Sequence, residues 1–313
     1  MKKTNPSVYH ARGKLLLTAE YFVLEGALAL ALPVRYGQQL TVNDGAGPAD
    51  CLHWQSFDEK GHCWFEGVFQ KNNFDLLENT DEQTARRLRS LFLQIKKQNP
   101  AWRPTDCTLR TDLDFPRHWG LGTSSTLVWL LAKWAGVDPF QLQFQTFGGS
   151  GYDVACAGAE GPVLYQKQNN RPHIQRCEFD PPFSHQLYFV FLNKKQNSRK
   201  AISLFQNKKQ KLKEYAHLTD ALSELSGLFL KEKKLSRFEN LIAEHENLIG
   251  TFLNLPRAKV LFFNDFWGEV KSLGAWGGDF VLVSSDRTER QTRSYFNDKG
   301  FDVFIPYRDM VPG

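Results

Sequence analysis

The stretch that decides the fold is PRHWGLGTSSTLVWLLAKWA, residues 116–135. Gly120 and Gly122 allow backbone turns that a Cβ atom would obstruct. Hydroxyl residues at 123–126 follow them, at the start of an apolar run from Leu127 to Ala135, which is where a helix N-terminus is expected. Exposed N–H groups at a helix N-terminus, together with the positive end of the helix dipole, attract anions. The stretch therefore predicts a phosphate-binding loop followed by a helix.

A simpler interpretation of this stretch stays open. A glycine- and serine-containing turn before a buried helix is common, and taken alone it is more often only a turn. The stretch lacks the Gly-Lys-Ser/Thr ending of a Walker A loop and the GxGxxG spacing of a dinucleotide site. The rest of the chain must therefore decide what the loop does.

The composition is that of a globular protein. The chain has 313 residues, of which 42% are hydrophobic and 23% charged, enough for two domains of ordinary size or one large α/β unit. Its five cysteines contain no CxxC pair, and their odd number argues against a disulfide framework. This cysteine usage indicates a reducing compartment.

The start of the chain and its hydropathy predict a cytoplasmic location. The first residues, MKKTNPSV, place Thr, Asn and Pro where a secretory signal would need an apolar core. No uninterrupted apolar stretch approaches the roughly 18 residues that a membrane helix requires. We therefore expect a soluble, unprocessed protein with no membrane partner.

The positive charge is concentrated in one segment. The net charge is +5, but residues 194–237 alone contain twelve Lys and Arg against four Asp and Glu. Such a segment suits an anionic small molecule, a nucleic acid or an anionic membrane, although a solvated basic helix face is the commoner explanation. No RNA-binding or zinc-finger motif accompanies it, so we expect no nucleic-acid partner.

Hydrophobic periodicity predicts both strands and helices, and hence an α+β chain. Short apolar or alternating runs predict strands at residues 15–17, 27–32, 38–42, 105–113, 161–165, 187–192, 280–284 and 303–305. Helical spacing of Ala85, Leu88, Leu91, Phe92 and Ile95 predicts a helix that follows a capping box at Thr80–Gln83 and ends by Pro100.

Further helices follow in the second half of the chain. The apolar stripe that runs from Tyr215 to Phe229 predicts one helix, and residues 238–253 predict another. The Pro-rich passage at 180–182 marks the predicted domain boundary, which gives domains at residues 1–182 and 183–313.

Four stretches in a fixed order resemble the motifs of the GHMP kinases, the family of galactokinase and of homoserine, mevalonate and phosphomevalonate kinases. The first, ARGKLLLTAEYFVLEG at 11–26, is similar to APGKLxLxGEHxVxxG, and PRHWGLGTSS at 116–125 to PxxxGLGSSA. SGYD at 150–153 matches the segment SGxD, and KSLGAWGGD at 271–279 resembles KxTGAGGGG. The resemblance covers nearly the whole chain.

The resemblance implies a fold and an activity. The expected fold is a GHMP-kinase-like α+β fold, with a mixed-sheet N-terminal domain and a ferredoxin-like C-terminal domain. The expected reaction is transfer of the γ-phosphoryl group of ATP, with Mg²⁺, to a small anionic metabolite. The tyrosine after Glu20, the sequence Asp153-Val-Ala155 and the final Gly-Gly-Asp279 are similar to phosphomevalonate kinases, so mevalonate or phosphomevalonate is the expected substrate. A homodimer is one assembly left open.

The resemblance also assigns residues. Asp153 would accept or orient the proton of the substrate hydroxyl, and Lys14 would be its matching cation. The residues expected to bind ATP are Pro116, Gly120, Leu121, Gly122, Thr123, Ser124, Ser125, Gly277 and Gly278, with Ser124 also a candidate magnesium ligand. Those expected to contact the substrate are Glu20, Tyr21, Ser150, Gly151, Ser198 and Lys200, although a structural hydrogen bond explains Glu20 and Tyr21 equally well.

Departures from the family pattern support an alternative, a catalytically inactive member that only binds a ligand. Arg12 replaces the usual proline, and no acidic residue stands near position 143, where mevalonate kinases place a magnesium-binding glutamate. Trp276 and Asp279 replace glycines of the last motif. Retention of both Lys14 and Asp153 favours an active enzyme, because a binding protein needs neither.

Overall fold

The computed structural model describes residues 5–169, 171–193, 205, 216–274, 276 and 278–312. The chain forms two compact units that alternate along the sequence. The first unit comprises Met1–Gly13, Tyr36–Arg117 and Gly122–Gly158. The second unit comprises Lys14–Arg35, His118–Leu121 and Ala159–Gly313. Residues 116–117 and 122–125 of the loop therefore belong to the first unit, and residues 118–121 belong to the second.

The first unit is built on a mixed sheet. Its strands are β3 (Cys51–Phe57), β4 (Cys63–Gln70), β5 (Leu76–Asn79) and β6 (Cys107–Leu113), together with residues 7–13 of β1 (Ser7–Leu16) and residues 36–44 of β2 (Ala29–Asp44). The order is β5-β4-β3-β6-β2, with β1 on β2; β3 and β6 are parallel, whereas β2 and β6 are antiparallel.

Four helices belong to the first unit: α1 (Glu82–Gln98), α2 (Thr123–Ala135), α3 (Pro139–Thr146) and α4 (Tyr152–Ala157). The five apolar residues that predicted α1 are all buried, in one core with strand side chains such as Trp54 and Phe69. The N-cap is Asp81, one residue after the predicted Thr80, and its carboxylate accepts a hydrogen bond from Thr84 N at 2.8 Å. Aspartate is as good an N-cap as threonine, so the predicted helix forms one residue later than its capping box suggested.

The second unit contains a short ribbon and a separate antiparallel sheet. Strands β7 (Val163–Gln168) and β8 (Arg171–Arg176) form the ribbon, and β7 pairs with Ala29–Ala31 at the start of β2. The sheet has the order β10-β11-β9-β12, from Val270–Ser272, Phe280–Ser284, Leu187–Phe191 and Phe304–Pro306. Its helices are α5 (Ala216–Lys231), α6 (Leu235–Leu253), α7 (Ala258–Phe262), α8 (Glu289–Asp298) and α9 (Tyr307–Met310), with 3-10 turns at Phe22–Glu25 and Ser184–Gln186.

The architecture confirms the predicted α+β class, with a mixed sheet and a second, small antiparallel sheet. Two predicted strands, 27–32 and 38–42, prove to be parts of the single strand β2. Strand β8 has no alternating apolar pattern, because it lies at a sheet edge and its side chains are mostly exposed, so the sequence did not predict it. The domain boundary at 182 stays a prediction; residues on both sides of it belong to the second unit.

Within the described parts of the chain, none of the helices combines the length and apolarity needed to span a bilayer.

Candidate active site

The 116–125 loop has the backbone of an anion-binding helix start. Gly120 and Gly122 both have positive φ, at 71° and 96°, a region that non-glycine residues rarely enter. Gly122 is the N-cap of α2 and supplies no side-chain acceptor for the first N–H groups of the helix. Unsatisfied N–H groups at the start of a 13-residue helix form a site for a phosphate oxygen. The predicted turn and helix are thus present, and phosphate binding by the loop stays a prediction.

The hydroxyl groups at the start of α2 divide into two roles. Ser125 and Thr126 are buried; Ser125 Oγ donates to Gly122 O at 2.8 Å, and Thr126 Oγ1 donates to Gln38 Oε1 at 2.7 Å. Both therefore hold the loop on the first unit. Ser124 is exposed and leaves its hydroxyl accessible. Thr123 is half-buried, and the roles of Thr123 and Ser124 toward ATP or a metal ion stay predictions.

Lys14 is attached to the part of the loop that belongs to the second unit. Its ammonium donates to Gly120 O at 2.9 Å, and its own backbone N–H donates to Leu121 O at 2.9 Å. Lys14 is half-buried at the end of β1. The structure thus brings two predicted site positions, Lys14 and Gly120, into direct contact.

Asp153 lies in the first turn of α4, whose N-cap is Gly151. Its carboxylate is half-buried and accepts a hydrogen bond from Val154 N at 3.0 Å, while Ser150 is buried. Helix α4 packs against α2 in the first unit, so the predicted catalytic aspartate and the 122–125 part of the loop are carried by neighbouring helices.

A group of buried charges surrounds Glu20 in the second unit. Lys271 Nζ lies 2.6 Å from Glu20 Oε1 and 3.5 Å from Glu246 Oε1, and all three side chains are at most 1% exposed. Ser272 Oγ donates to Glu246 Oε2 at 3.1 Å. His245 Nε2 accepts a hydrogen bond from Ala19 N at 2.8 Å. We call Glu20, His245, Glu246, Lys271 and Ser272 the Lys271 cluster.

The protonation of this cluster follows from its burial. Burial raises the pKa of Glu20 to about 7, helped by the charge of Glu246 and opposed by Lys271. Burial also raises the pKa of Glu246, again against the attraction of Lys271. Burial and the Lys271 charge hold the pKa of His245 well below its ordinary value. His245 is therefore neutral, and because Nε2 accepts from Ala19, its proton lies on Nδ1.

Glu20 makes the structural contacts that the sequence left as the alternative to substrate binding. Its carboxylate is 1% exposed, and one oxygen is bound by Lys271. Tyr21 is likewise buried, with a positive φ of 66°, and its hydroxyl accepts a hydrogen bond from Trp276 N at 2.8 Å. Burial raises the pKa of Tyr21 to about 12, and the charges of Glu20 and Asp279 add to the shift. Substrate contact by either residue stays a prediction.

The last motif places two side chains where the family pattern has glycines. The indole of Trp276 is 8% exposed and donates to Pro256 O at 2.9 Å, so it packs into the second unit. Asp279 is also 8% exposed and lies against Gly120. Gly278 is buried beside it. Gly277, Ser198 and Lys200, which the sequence assigned to ATP or substrate, lie outside the described residues.

His245 and Glu246 are site residues that the motifs do not include, although the sequence carries a signal for them. Both stand on the apolar stripe of α6, at helical spacing from Ile242 and Ile249, which are buried. A charged or polar residue at a core position of a helix indicates a buried partner. That partner, Lys271, begins the last motif, but the sequence did not connect the two segments.

The described residues contain no group of three or more His, Cys, Asp or Glu side chains that could hold a metal ion. A magnesium ion often binds to proteins through one or two carboxylates and the phosphates of a substrate, keeping several waters.

Comparison with known proteins finds matches only among solved structures, and these matches concern the fold. No protein-family profile and no curated protein sequence matches the chain. Among solved structures, Streptococcus pneumoniae phosphomevalonate kinase in complex with phosphomevalonate and AMPPNP superposes with a TM-score of 0.67 and 19% identity, over 95% of this chain and 99% of that one. The mevalonate kinase of Methanococcus jannaschii gives 0.67 and 13%, over 94% and 95%.

Lactococcus lactis galactokinase, complexed with galactose, also matches with a TM-score of 0.67, at 11% identity over 95% of this chain and 89% of that one. The three enzymes act on different substrates and share this architecture along almost its full length. The chain thus has the GHMP-kinase-like fold that the motif order predicted.

Proposed function

We propose that this protein is an ATP-dependent kinase that transfers the γ-phosphoryl group to a hydroxyl or phosphate group of a small anionic metabolite. The observation that carries the proposal is the 116–125 loop, which has two left-handed glycines directly before α2 and no side-chain cap on the helix. The loop occurs in a fold shared with three kinases of small molecules.

The proposed chemistry needs little covalent work from the protein. Phosphoryl transfer depends mainly on positioning and on neutralising charge. The N-terminal N–H groups of α2 would hold phosphate oxygens, and Lys14 would supply a cation. Asp153 would accept or orient the proton of the attacking hydroxyl. Asp153 and Lys14 belong to different units, and their joint action is part of the proposal.

Magnesium would enter with the nucleotide. The exposed hydroxyl of Ser124, at the start of α2, is an oxygen donor of the kind that this ion accepts. When bound, the ion would neutralise charge on the transferred phosphoryl group. The protein's own part is to present the donor and to keep the loop in place through Ser125 and Thr126.

For the acceptor we propose mevalonate or phosphomevalonate. The support is the sequence resemblance to phosphomevalonate kinases around Glu20, Asp153 and Asp279, together with a fold shared with a phosphomevalonate and a mevalonate kinase. The excess of Lys and Arg between residues 194 and 237 suits a substrate with carboxylate or phosphate groups. Because the fold also matches a galactokinase, a sugar is included among the substrates to be tested.

The test is a coupled assay of ADP release over a panel of mevalonate, phosphomevalonate, homoserine and galactose. We expect turnover with one of the two isoprenoid precursors, and Asp153→Ala should lower kcat by about 10³-fold or more because it removes the group that handles the proton. Asp220→Ala, at an exposed helix position, is the matched control. An Asp153→Ala protein as active as the wild type would remove the role assigned to Asp153.

The replacement of motif glycines by Trp276 and Asp279 favours a second candidate, an inactive member that binds a ligand. Calorimetry distinguishes the two. A protein that binds ATP but releases no ADP with any member of the panel fits the inactive binder, whereas turnover excludes it.

A further inference from the structure

The first unit contains a cleft that lies outside the four motifs. Its volume is about 430 Å³, within the range of roughly 300–1,000 Å³ that is typical of small-molecule sites. We call it the Arg103 cleft; it is lined by Lys71, Asn72, Lys96, Arg103, Pro104 and Thr105. All six residues belong to the segment Tyr36–Arg117 of the first unit.

Two cations of the cleft converge on one backbone oxygen. Lys96 Nζ donates to Trp102 O at 2.6 Å, and Arg103 Nη1 donates to the same oxygen at 3.0 Å. Arg103 also donates to Pro100 O. Among the described residues, neither cation takes part in an ion pair, so their hydrogen-bond partners are all backbone carbonyls. A carbonyl is neutral, and two positive charges held close together therefore repel without a counter-charge.

The third cation of the cleft, Lys71, is in a different state. Its ammonium is paired with the carboxylate of Asp106 and lies 3.4 Å from Asp50 Oδ1. The nearby Asp44 carboxylate accepts a hydrogen bond from Thr105 Oγ1. The charge of Lys71 is thus compensated within the protein, and the uncompensated charge of the cleft lies at Lys96 and Arg103.

The oxygen that holds the two cations belongs to a well-packed loop. The ring of Trp102 stacks on Phe74 at 5.8 Å between centroids and meets Trp134 edge-on at 5.1 Å. Trp102 N donates to Asn99 O at 3.0 Å, and Pro104 is buried. The fold therefore fixes the position of the carbonyl on which both cations are held, which lowers the entropy cost of binding an anion there.

We propose that the Arg103 cleft binds the phosphate group of a small metabolite, at a site different from the 116–125 loop. A phosphate monoester carries a charge of roughly −1.5 to −2 at pH 7, which matches the two uncompensated cations. A guanidinium and an ammonium are the side-chain groups that best donate to phosphate oxygens. The cleft is larger than one phosphate group, so it has room for the organic part of the ligand beside Asn72 and Thr105. This inference does not depend on the proposed kinase activity.

The test is a calorimetric titration of the full chain with pyrophosphate at low ionic strength. Wild type should show saturable binding, and Lys96→Met and Arg103→Gln should each weaken it by about tenfold or more, because each removes a charged hydrogen-bond donor. Lys97→Met, an exposed lysine on the same helix, is the matched control and should bind as wild type does. Lys96→Arg keeps the charge and should retain binding, which separates a loss of the anion contact from a loss of folding.

The outcomes are distinct from those of the ADP-release assay. If wild type binds no pyrophosphate, or if Lys96→Met and Arg103→Gln both bind it with wild-type affinity, the inference is wrong, whatever the assay shows. Crystals soaked in tungstate provide an independent readout, since the heavy anion can be located directly. We expect it between Lys96 and Arg103, and tungstate bound only elsewhere would contradict the proposal.

Discussion

The 116–125 loop and the Lys271 cluster both contain residues of the glycine motifs, but they depend on the rest of the chain differently. The loop takes its conformation from two neighbouring glycines and the helix that follows them. The cluster joins Glu20 to Lys271, 251 residues further along the chain, and to α6. A local backbone conformation can be inferred from a short sequence. A buried charge is stable only beside its partners, so it can be explained only when those partners are known.

The difference predicts where substitutions will act. Substitutions in the cluster should change the stability of the second unit, because an unpaired buried charge is costly. Substitutions at Gly120 should change stability through close contact with the Asp279 side chain. Three predictions follow from this contrast, in decreasing order of expected effect.

Lys271→Met should lower the free energy of unfolding by about 3–5 kcal/mol, because it leaves Glu20 and Glu246 buried without the ammonium that both face. Urea denaturation at pH 7 measures the change. Lys233→Met, at an exposed position, is the control and should have little effect. The double variant Glu20→Gln/Lys271→Met should recover part of the loss. Equal stability of Lys271→Met and wild type would show that the cluster does not depend on charge pairing.

Gly120→Ala should lower the free energy of unfolding by about 2–4 kcal/mol, from positive φ together with overpacking against Asp279. Gly136→Ala is a matched control, since Gly136 has a similar φ of 65° and no atom within 4 Å of a built Cβ. The difference between the two variants isolates the contact with Asp279, and Asp279→Gly should remove it. Equal losses for both glycine variants, measured by urea denaturation, would mean that the carboxylate does not restrict this position.

Glu20→Gln should change the pH dependence of stability. The pKa of Glu20 rises from 4.5 to about 7 on folding, so the folded state keeps its proton longer than the unfolded state. Stability from this group is complete below pH 4.5 and is lost as the pH rises to about 7. We expect a loss on the order of 1–3 kcal/mol, which Glu20→Gln should abolish.

The measurement is a set of urea denaturation curves between pH 4.5 and 8 for wild type and variant. Glu246 and His245 are present in both proteins, so the difference between the wild-type and variant curves reports Glu20 together with its electrostatic coupling to Glu246. Glu244→Gln is the control, because Glu244 is exposed on α6, the helix that carries His245 and Glu246. Its stability should depend on pH in the same way as that of the wild type. If Glu20→Gln and wild type show parallel curves, folding does not raise the pKa of Glu20.

Much of the fold was predictable because its signals are local. The apolar stripe of α1 and the positions of β6, β9 and β11 follow from hydrophobic spacing over a few residues, and the α+β class follows from them. Strand β8 escaped prediction because its side chains are mostly exposed and backbone pairing alone defines it. The N-cap of α1 is Asp81, one residue after the predicted Thr80. Both residue types are good N-caps, so the sequence alone does not distinguish them.

The sequence by itself determined the α+β class and the glycine loop before α2, together with the candidate roles of Lys14, Asp153 and Ser124. Only the tertiary structure placed the Asp279 carboxylate on Gly120 and closed a charged cluster around Glu20. The physical reason is distance along the chain. Backbone preferences and hydrophobic periods act between near neighbours, whereas electrostatic pairing and close contact depend on which distant segments the fold brings together.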